Sequence, residues 1–80
     1  MYVWVIFSGC SGEEPKLIDI CEDDLELAKQ IAHDDYSSIW LYVGLSLDNW
    51  RPHDMNKGDW QHDVTGGNYY HLARWKVSTR

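Results

Sequence analysis

The stretch from Ser38 to Trp50, which reads SIWLYVGLSLDNW, decides the fold that the sequence predicts. Aliphatic residues occupy every second position from Ile39 to Leu47, and the positions between them begin with Trp40 and Tyr42 and continue with small or polar residues. Such alternation is typical of a β-strand, whose successive side chains point to opposite faces of a sheet. A strand that is apolar on both faces usually lies in the middle of a sheet. The sequence therefore predicts a central strand here, with the rest of the chain packed around it.

Two earlier segments also have the composition of strands. Tyr2–Phe7 is β-branched and aromatic, which favours a buried strand, and we expect it to lie beside the Ile39–Leu47 strand. Lys16–Cys21 follows a turn rich in Gly, Ser and Pro. It predicts a second strand, antiparallel to the first, with Ile18 and Ile20 directed inward.

The segment between these strands and the central one predicts a helix from about Asp24 to Tyr36. Glu22-Asp23-Asp24 supplies an N-cap and places negative charge at the partly positive helix N-terminus. Apolar residues recur with helical spacing and include the small Ala28 and Ala32, which would allow a close approach to the sheet. We expect this stripe to pack on the aliphatic face of the central strand, and the helix to end near Asp34-Asp35, where acids oppose the dipole.

The C-terminal part predicts an irregular hairpin followed by a last strand. The hairpin would turn at Asn56-Lys57-Gly58-Asp59 and be held by Trp50 and Trp60. The alternating run Tyr69–Val77 predicts the last strand. Together these elements predict a single α+β domain over residues 1–80, with a mostly antiparallel sheet of three to four strands, one helix on one face and the order β-β-α-β-β.

Charge is unevenly distributed along the chain. The net charge is −6, but the first fifty residues hold ten acids against only Lys16 and Lys29, whereas the last thirty hold more bases than acids. Such a chain should be repelled by nucleic acid and attracted to basic protein surfaces. We expect no direct contact with nucleic acid.

The hydropathy of the chain and its two cysteines are used to predict the cellular compartment of the protein. No apolar run approaches the roughly 20 residues that a membrane helix needs, so we expect no membrane contact. No secretory signal is visible, which predicts a cytoplasmic protein with free thiols. A bridge between Cys10 and Cys21 across the first turn stays open as the alternative.

Catalytic and metal-binding patterns are weak. His53-Asp54, Asp59 and His62-Asp63 lie close in sequence, but their spacing lacks the tight pairs that zinc sites use, and a solvated loop explains them better. Cys10 follows the first strand in a loop, without the neighbouring base that a nucleophilic thiol needs. We predict no enzyme, no metal and no cofactor.

Two surfaces are candidates for binding a partner. The first is the acidic side of the predicted helix, which is either a solvated face or an anionic docking surface. Its candidate contacts are Glu22, Asp23, Glu26, Asp34 and Asp35.

The second surface is aromatic. By strand parity Tyr2, Trp4, Trp40 and Tyr42 share the sheet face that the single helix leaves uncovered. Either the Trp50–Trp60 loop and the final strand cover this face, or the face is open and forms an interface with a partner. We count Trp4, Trp40, Tyr42, Trp50 and Trp60 as candidate contacts.

The layout also resembles that of a known class of proteins. An aromatic first strand, a turn, a second strand and an acidic helix containing Ala28 and Ala32 precede a closing aromatic strand, Tyr69–Val77. In size, charge and layout the chain resembles the small acidic orphan proteins of bacteriophages, of which anti-CRISPR proteins are the best-known class. The resemblance implies a phage-encoded, non-enzymatic inhibitor that blocks the nucleic-acid site of a host nuclease or surveillance complex. The alternative is a small homodimeric structural or regulatory module that pairs through its aromatic face.

Overall fold

The computed structural model describes residues 1–39, 49–64 and 67–78. These residues form an α+β fold in which one helix packs on an antiparallel sheet of five strands. The elements in chain order are β1 (Tyr2–Cys10), β2 (Lys16–Glu22), α1 (Leu25–Ile39), β3 (Arg51–Pro52), β4 (Trp60–Asp63) and β5 (Asn68–Lys76). The α+β class with one helix on an antiparallel sheet is confirmed. The strand count and order differ from the prediction, because the segment between α1 and β5 contributes a short pair of strands.

β1 occupies an interior position of the sheet, whose strand order is β2-β1-β5-β4-β3. It pairs with β2 along one edge and with β5 along the other, from Tyr2 opposite Lys76 to Cys10 opposite Asn68. Both edges of β1 are therefore filled, and the prediction that the Ile39–Leu47 strand lies beside it is wrong. Ser38 and Ile39 belong to α1, and residues 40–48 lie outside the described residues.

The predicted hairpin before β5 is present. β3 pairs with β4 through Arg51 opposite Gln61 and Pro52 opposite Trp60. The turn closes where the Asp59 amide donates to the Asn56 carbonyl over 3.1 Å, and Gly58 has a φ of +90°. A residue with a side chain rarely adopts that conformation, which explains the glycine in this turn.

The helix starts as predicted and ends later. Asp24 is the N-cap, since its Oδ1 accepts the amides of Glu26 over 3.1 Å and of Leu27 over 3.2 Å. The predicted end at Tyr36 is wrong, because α1 continues through Asp34 and Asp35 to Ile39. Tertiary contacts outweigh the unfavourable charges there: Tyr70 donates a 2.7 Å hydrogen bond to Asp35 Oδ2, and Tyr36 is buried beside the Tyr70 ring.

The core lies between α1 and one face of the sheet. Its buried members are Trp4, Ile6, Ala28, Ala32, Tyr36, Tyr70 and Leu72. Ala28 and Ala32 are fully buried, which confirms that small residues bring the helix close to the sheet. Trp4 is only 4% exposed on the helix side, so the prediction that it lies on the opposite face is wrong. The large rings of Trp4 and Tyr70 fill the space around the two alanines.

A β-bulge in β2 redirects two of its apolar residues. The pairing of β1 with β2 shifts between Ile6 and Phe7, so that Asp19 lies opposite Ile6 and Leu17 opposite Phe7. The extra residue changes the side-chain alternation. Ile18 packs against the core, whereas Ile20 lies opposite Val5 and is 52% exposed. The prediction that Ile18 and Ile20 both face inward is therefore wrong for Ile20.

The structure of the core predicts that the loss of stability on replacing leucine by alanine depends strongly on where the leucine lies. Leu72 is completely buried between sheet and helix, so Leu72→Ala should lower the free energy of unfolding by about 2–5 kcal/mol. Leu27→Ala is the matched control, because Leu27 is 36% exposed on α1 and its replacement should cost far less. Urea unfolding followed by circular dichroism measures both. Equal losses in the two variants would contradict the assignment of Leu72 to the core.

Candidate functional site: the sheet face opposite the helix

Three rows of cross-strand neighbours form the sheet face that points away from α1. Residues directly opposite each other in an antiparallel sheet share a face. The register of β2, β1 and β5 therefore gives the rows Glu22–Val3–Trp75, Ile20–Val5–Ala73 and Leu17–Phe7–His71. We call the residues Val3, Phe7, Leu17, Ile20 and Trp75 of these rows the apolar face.

The apolar face holds large side chains at the surface. Leu17 is 51%, Ile20 52% and Trp75 54% exposed. The Phe7 ring lies 6.1 Å from the Trp75 ring and 6.2 Å from the His71 ring, both in tilted geometry. Contiguous exposed apolar side chains of this kind mark interaction sites, whereas scattered ones do not.

The nearest described parts of the chain around residues 40–48 lie on the other side of the sheet. Tyr36 belongs to the core cluster on the helix side, and Trp50 packs against that cluster. Val5 and Ala73, at the centre of the middle row, are only 1% and 4% exposed, so the accessible part of this face consists of its outer residues Leu17, Ile20 and Trp75.

The acidic candidate residues are partly neutralised in the folded protein. Asp23 forms a two-pronged ion pair with Arg74, with Nε to Oδ1 at 3.0 Å and Nη2 to Oδ2 at 2.8 Å. The guanidinium also lies 4.1 Å from the centre of the Tyr2 ring. The hydrogen bond from Arg74 lowers the pKa of Asp23 below its ordinary value. The charge that is segregated along the sequence is thus brought together in space.

The predicted acids on the helix have local partners, whereas Glu22 lies on β2 and not on the helix. Glu26 lies 3.6 Å from Lys29 Nζ, and Asp34 accepts a 2.8 Å hydrogen bond from Gln30. Asp35 accepts the Tyr70 hydroxyl; burial and this carboxylate raise the pKa of Tyr70 above its ordinary value. Glu22 is exposed at the end of β2, opposite Val3, and is the one predicted acid whose register places it on the apolar face.

The aromatic candidates are mostly structural. Trp4 is a core residue, and Trp50 and Trp60 are partly buried and packed against the core. Lys29 Nζ lies 5.3 Å from the Trp60 ring, and the Trp50 ring meets His62 edge-on at 5.3 Å. Trp40 and Tyr42 lie outside the described residues. The prediction that Trp4 contacts a partner is therefore wrong, because the helix covers this residue.

The sequence contained part of the signal for the apolar face. Val3 and Phe7 share a parity on the first strand, and Trp75 belongs to an alternating apolar set on the last. The alternation of residues along the strands did not indicate on which of the two apolar sheet faces the helix would pack. Leu17 and Ile20 were missed for another reason, because the bulge between them is invisible in the alternation of residue types.

A group of histidine and carboxylate side chains lies beside the apolar face, next to Phe7. His71 Nε2 lies 2.8 Å from Asp59 Oδ2, and the His53 ring stacks on the His71 ring with a centroid separation of 4.7 Å. His62 points to the other side, where its Nε2 accepts the Asn49 amide over 3.0 Å. Within the described ranges, no three His, Cys, Asp or Glu side chains are grouped as a metal site would require.

A shallow cavity of about 250 Å³ lies at the turn between β1 and β2. Its lining includes Cys10, Glu13, Glu14, Lys16 and Asn68. The described lining residues include no histidine that could activate the Cys10 thiol. Cys10 and Cys21 are free thiols. Cys21 lies opposite Trp4 and Cys10 opposite Asn68, at well separated positions of the sheet.

Comparison with protein-family models, with curated proteins and with solved structures gives no match to the chain. The described helix is also too short and too polar to span a membrane. The geometry of the apolar face and its acidic surroundings is therefore the basis for a functional proposal.

The Asp23–Arg74 pair predicts a specific titration behaviour. Because the pKa of Asp23 is lowered in the fold, its stabilising contribution is present above the ordinary carboxyl pKa of about 3.9 and is lost as pH falls through the folded value. Arg74→Gln should return the Asp23 pKa towards the ordinary value, as read from its side-chain carbonyl by NMR. Lys76→Gln, which removes a charge from the same strand, should leave it unchanged. An unaltered Asp23 titration in Arg74→Gln would show that the pair is unimportant in solution.

Proposed function

We propose that the protein is a non-enzymatic protein-binding inhibitor that docks through its apolar face. The observation that carries the proposal is the exposure of Leu17, Ile20 and Trp75 by about half each, on β2 and β5, the two neighbours of β1 in one sheet. A few side chains near the centre of an interface, often tryptophans, supply most of the energy of association. A pre-formed sheet loses little conformational entropy on docking, which favours affinity.

Charge favours a basic partner. Glu22 lies on the apolar face itself, while Glu13, Glu14 and Asp19 are exposed along the neighbouring turn and β2. The net charge of −6 repels nucleic acid and speeds encounter with cationic protein surfaces. Together with the resemblance to anti-CRISPR proteins, this favours the basic nucleic-acid cleft of a host nuclease or surveillance complex as the target.

Docking would use the face of the sheet and not its edge. In the sheet formed by the described residues β2 is an edge strand, and its bulge disturbs the ladder that an added strand would have to continue. The Asp19 carboxylate accepts the Ile20 amide over 2.8 Å, so this amide is not available to a partner strand. Both features are common protections against edge-to-edge pairing.

The second candidate function is a homodimeric module. The same apolar face would form the contact, since Trp4 is buried beneath the helix. The apolar character of the three rows favours self-association, but two copies would each bring a charge of −6 to the contact. Like charges across an interface disfavour it, and we therefore rank the basic partner first.

The proposal predicts that binding depends on the apolar face. Ile20→Ser with Trp75→Ser should weaken inhibition of a target complex at least ~10-fold, because two interface anchors are lost. Leu27→Ser is the matched control: Leu27 is exposed on α1, and its replacement should leave inhibition unchanged. The measurement titrates the protein into purified CRISPR-type effector complexes and follows their binding of target DNA.

The same titration separates binding from chemistry. A binding inhibitor acts at about one equivalent per target and releases an unmodified target. Inhibition that is unaffected by the double substitution, or that proceeds at a small fraction of an equivalent, would overturn the proposal. Light scattering of the free protein tests the second candidate, since a monomer at high concentration excludes the homodimer.

A further inference from the structure

The turn between β3 and β4 is fastened to β5 by a pair of stacked histidines. The His53 and His71 rings are nearly parallel, with an interplanar angle of 11° and a centroid separation of 4.7 Å. His53 Nδ1 accepts the amides of Met55 and Asn56, each over 3.2 Å. A nitrogen that accepts two N–H donors carries no proton, so in this arrangement His53 is neutral and holds its proton on Nε2.

A second contact uses the carboxylate of Asp59. It is 9% exposed, and its Oδ2 lies 2.8 Å from His71 Nε2 while its Oδ1 accepts the Arg74 amide over 3.2 Å. An ionised carboxylate only accepts hydrogen bonds, so His71 Nε2 is the donor. His71 can therefore take up a further proton on Nδ1 and keep this bond.

We propose that the turn from His53 to Asp59 contains a pH-sensitive latch, in which neutral His53 holds the Met55 and Asn56 amides and protonated His53 releases them. The backbone hydrogen bonds from the His53 amide to the Asp59 carbonyl and from the Asp59 amide to the Asn56 carbonyl remain in both states. A proton on His53 Nδ1 turns this acceptor into a donor that faces the amides of Met55 and Asn56, and both hydrogen bonds are lost. Protonated His53 and protonated His71 would also stack charge on charge. The asymmetry singles out His53, because His71 keeps its partner on protonation and His53 loses both of its own.

The charged groups around the stack cannot compensate a second positive ring. Arg51 on β3 pairs with Asp54 in the turn at 3.5 Å and with Asp63 on β4 at 3.1 Å. The carboxylate held against the stack is that of Asp59, which His71 already occupies. On the β1 side the His71 ring meets uncharged Phe7. His71 is the ionisable group in contact with the His53 ring, and the other ionisable groups of the turn and its strands are Arg51 on β3, Asp54 and Asp59 in the turn and Asp63 on β4.

The latch borders the apolar face. Phe7 contacts both His71 and Trp75, so the histidine stack and the apolar face share a side chain. Release of the two amides would change the polar border of that face and hence the fit of a partner. This regulatory consequence rests on the proposed function, whereas the latch itself needs no partner.

The test is an NMR titration of the free protein between about pH 7.5 and 5, where histidine side chains change charge. We expect the amide signals of Met55 and Asn56 to lose their hydrogen-bonded shifts in step with protonation of the His53 ring, read from its ring nitrogens. The amides of β2, which carries no histidine, should stay unchanged over the same range. Retention of the Met55 and Asn56 shifts while His53 protonates would overturn the latch.

Two variants separate His53 from other titrating groups. His53→Gln has no proton to gain, so its turn amides should be independent of pH. His33→Gln is the matched control, because His33 lies on α1 outside the stack and its loss should leave the native transition in place. The same pH response in His53→Gln as in the native chain would contradict the role of His53.

A binding arm distinguishes the latch from the proposed function. If the two amides are released but the native protein and His53→Gln inhibit their target with the same pH dependence, the regulatory link is wrong and docking stands. If Ile20→Ser with Trp75→Ser has no effect on inhibition, the proposed function fails while the NMR result still decides the latch.

Discussion

The pairing of β1 with β5 is the constraint on which the rest of the structure depends. These strands, each nine residues long, are the first and last strands of the described structure, and they align along their whole length. The pairing fills the second edge of β1 and provides the edge on which β4 and β3 are built. It also aligns Trp4 and Ile6 with Tyr70 and Leu72 on one face, where Ala28 and Ala32 let α1 approach.

The same pairing changes the electrostatics of the molecule. β5 carries Arg74 from the basic end of the sequence to the start of α1, where it meets Asp23 and rests on the Tyr2 ring. An acidic helix with a separate basic tail therefore becomes a surface with several local ion pairs. The acids that remain exposed on β2 and in the turn before it lie on the β2 side of the apolar face, and this changes the expected docking surface from the helix to the sheet.

One helix on a sheet with two apolar faces leaves the second face to other uses. The three rows from Glu22 to Trp75, Ile20 to Ala73 and Leu17 to His71 combine aliphatic, aromatic and charged side chains on a rigid support. Binding surfaces need such a combination, in which apolar groups supply energy and charges supply specificity. At the border of this face, the stacked His53 and His71 add a group whose hydrogen bonding depends on protonation.

The sequence by itself determined the α+β class, the first two strands, the Asp24 cap, the glycine turn and the last strand, because each depends on contacts or conformations within a few residues. Tertiary structure decided the rest. The choice of β5 as the partner of β1, the face taken by the helix and the pairing of Arg74 with Asp23 join residues far apart in the chain, and local residue patterns carry no information about such pairs. The bulge in β2 moved Ile20 to the surface because one extra residue reverses the parity beyond it. The candidate site was therefore visible only as apolar strand residues, and its assembly required the sheet register.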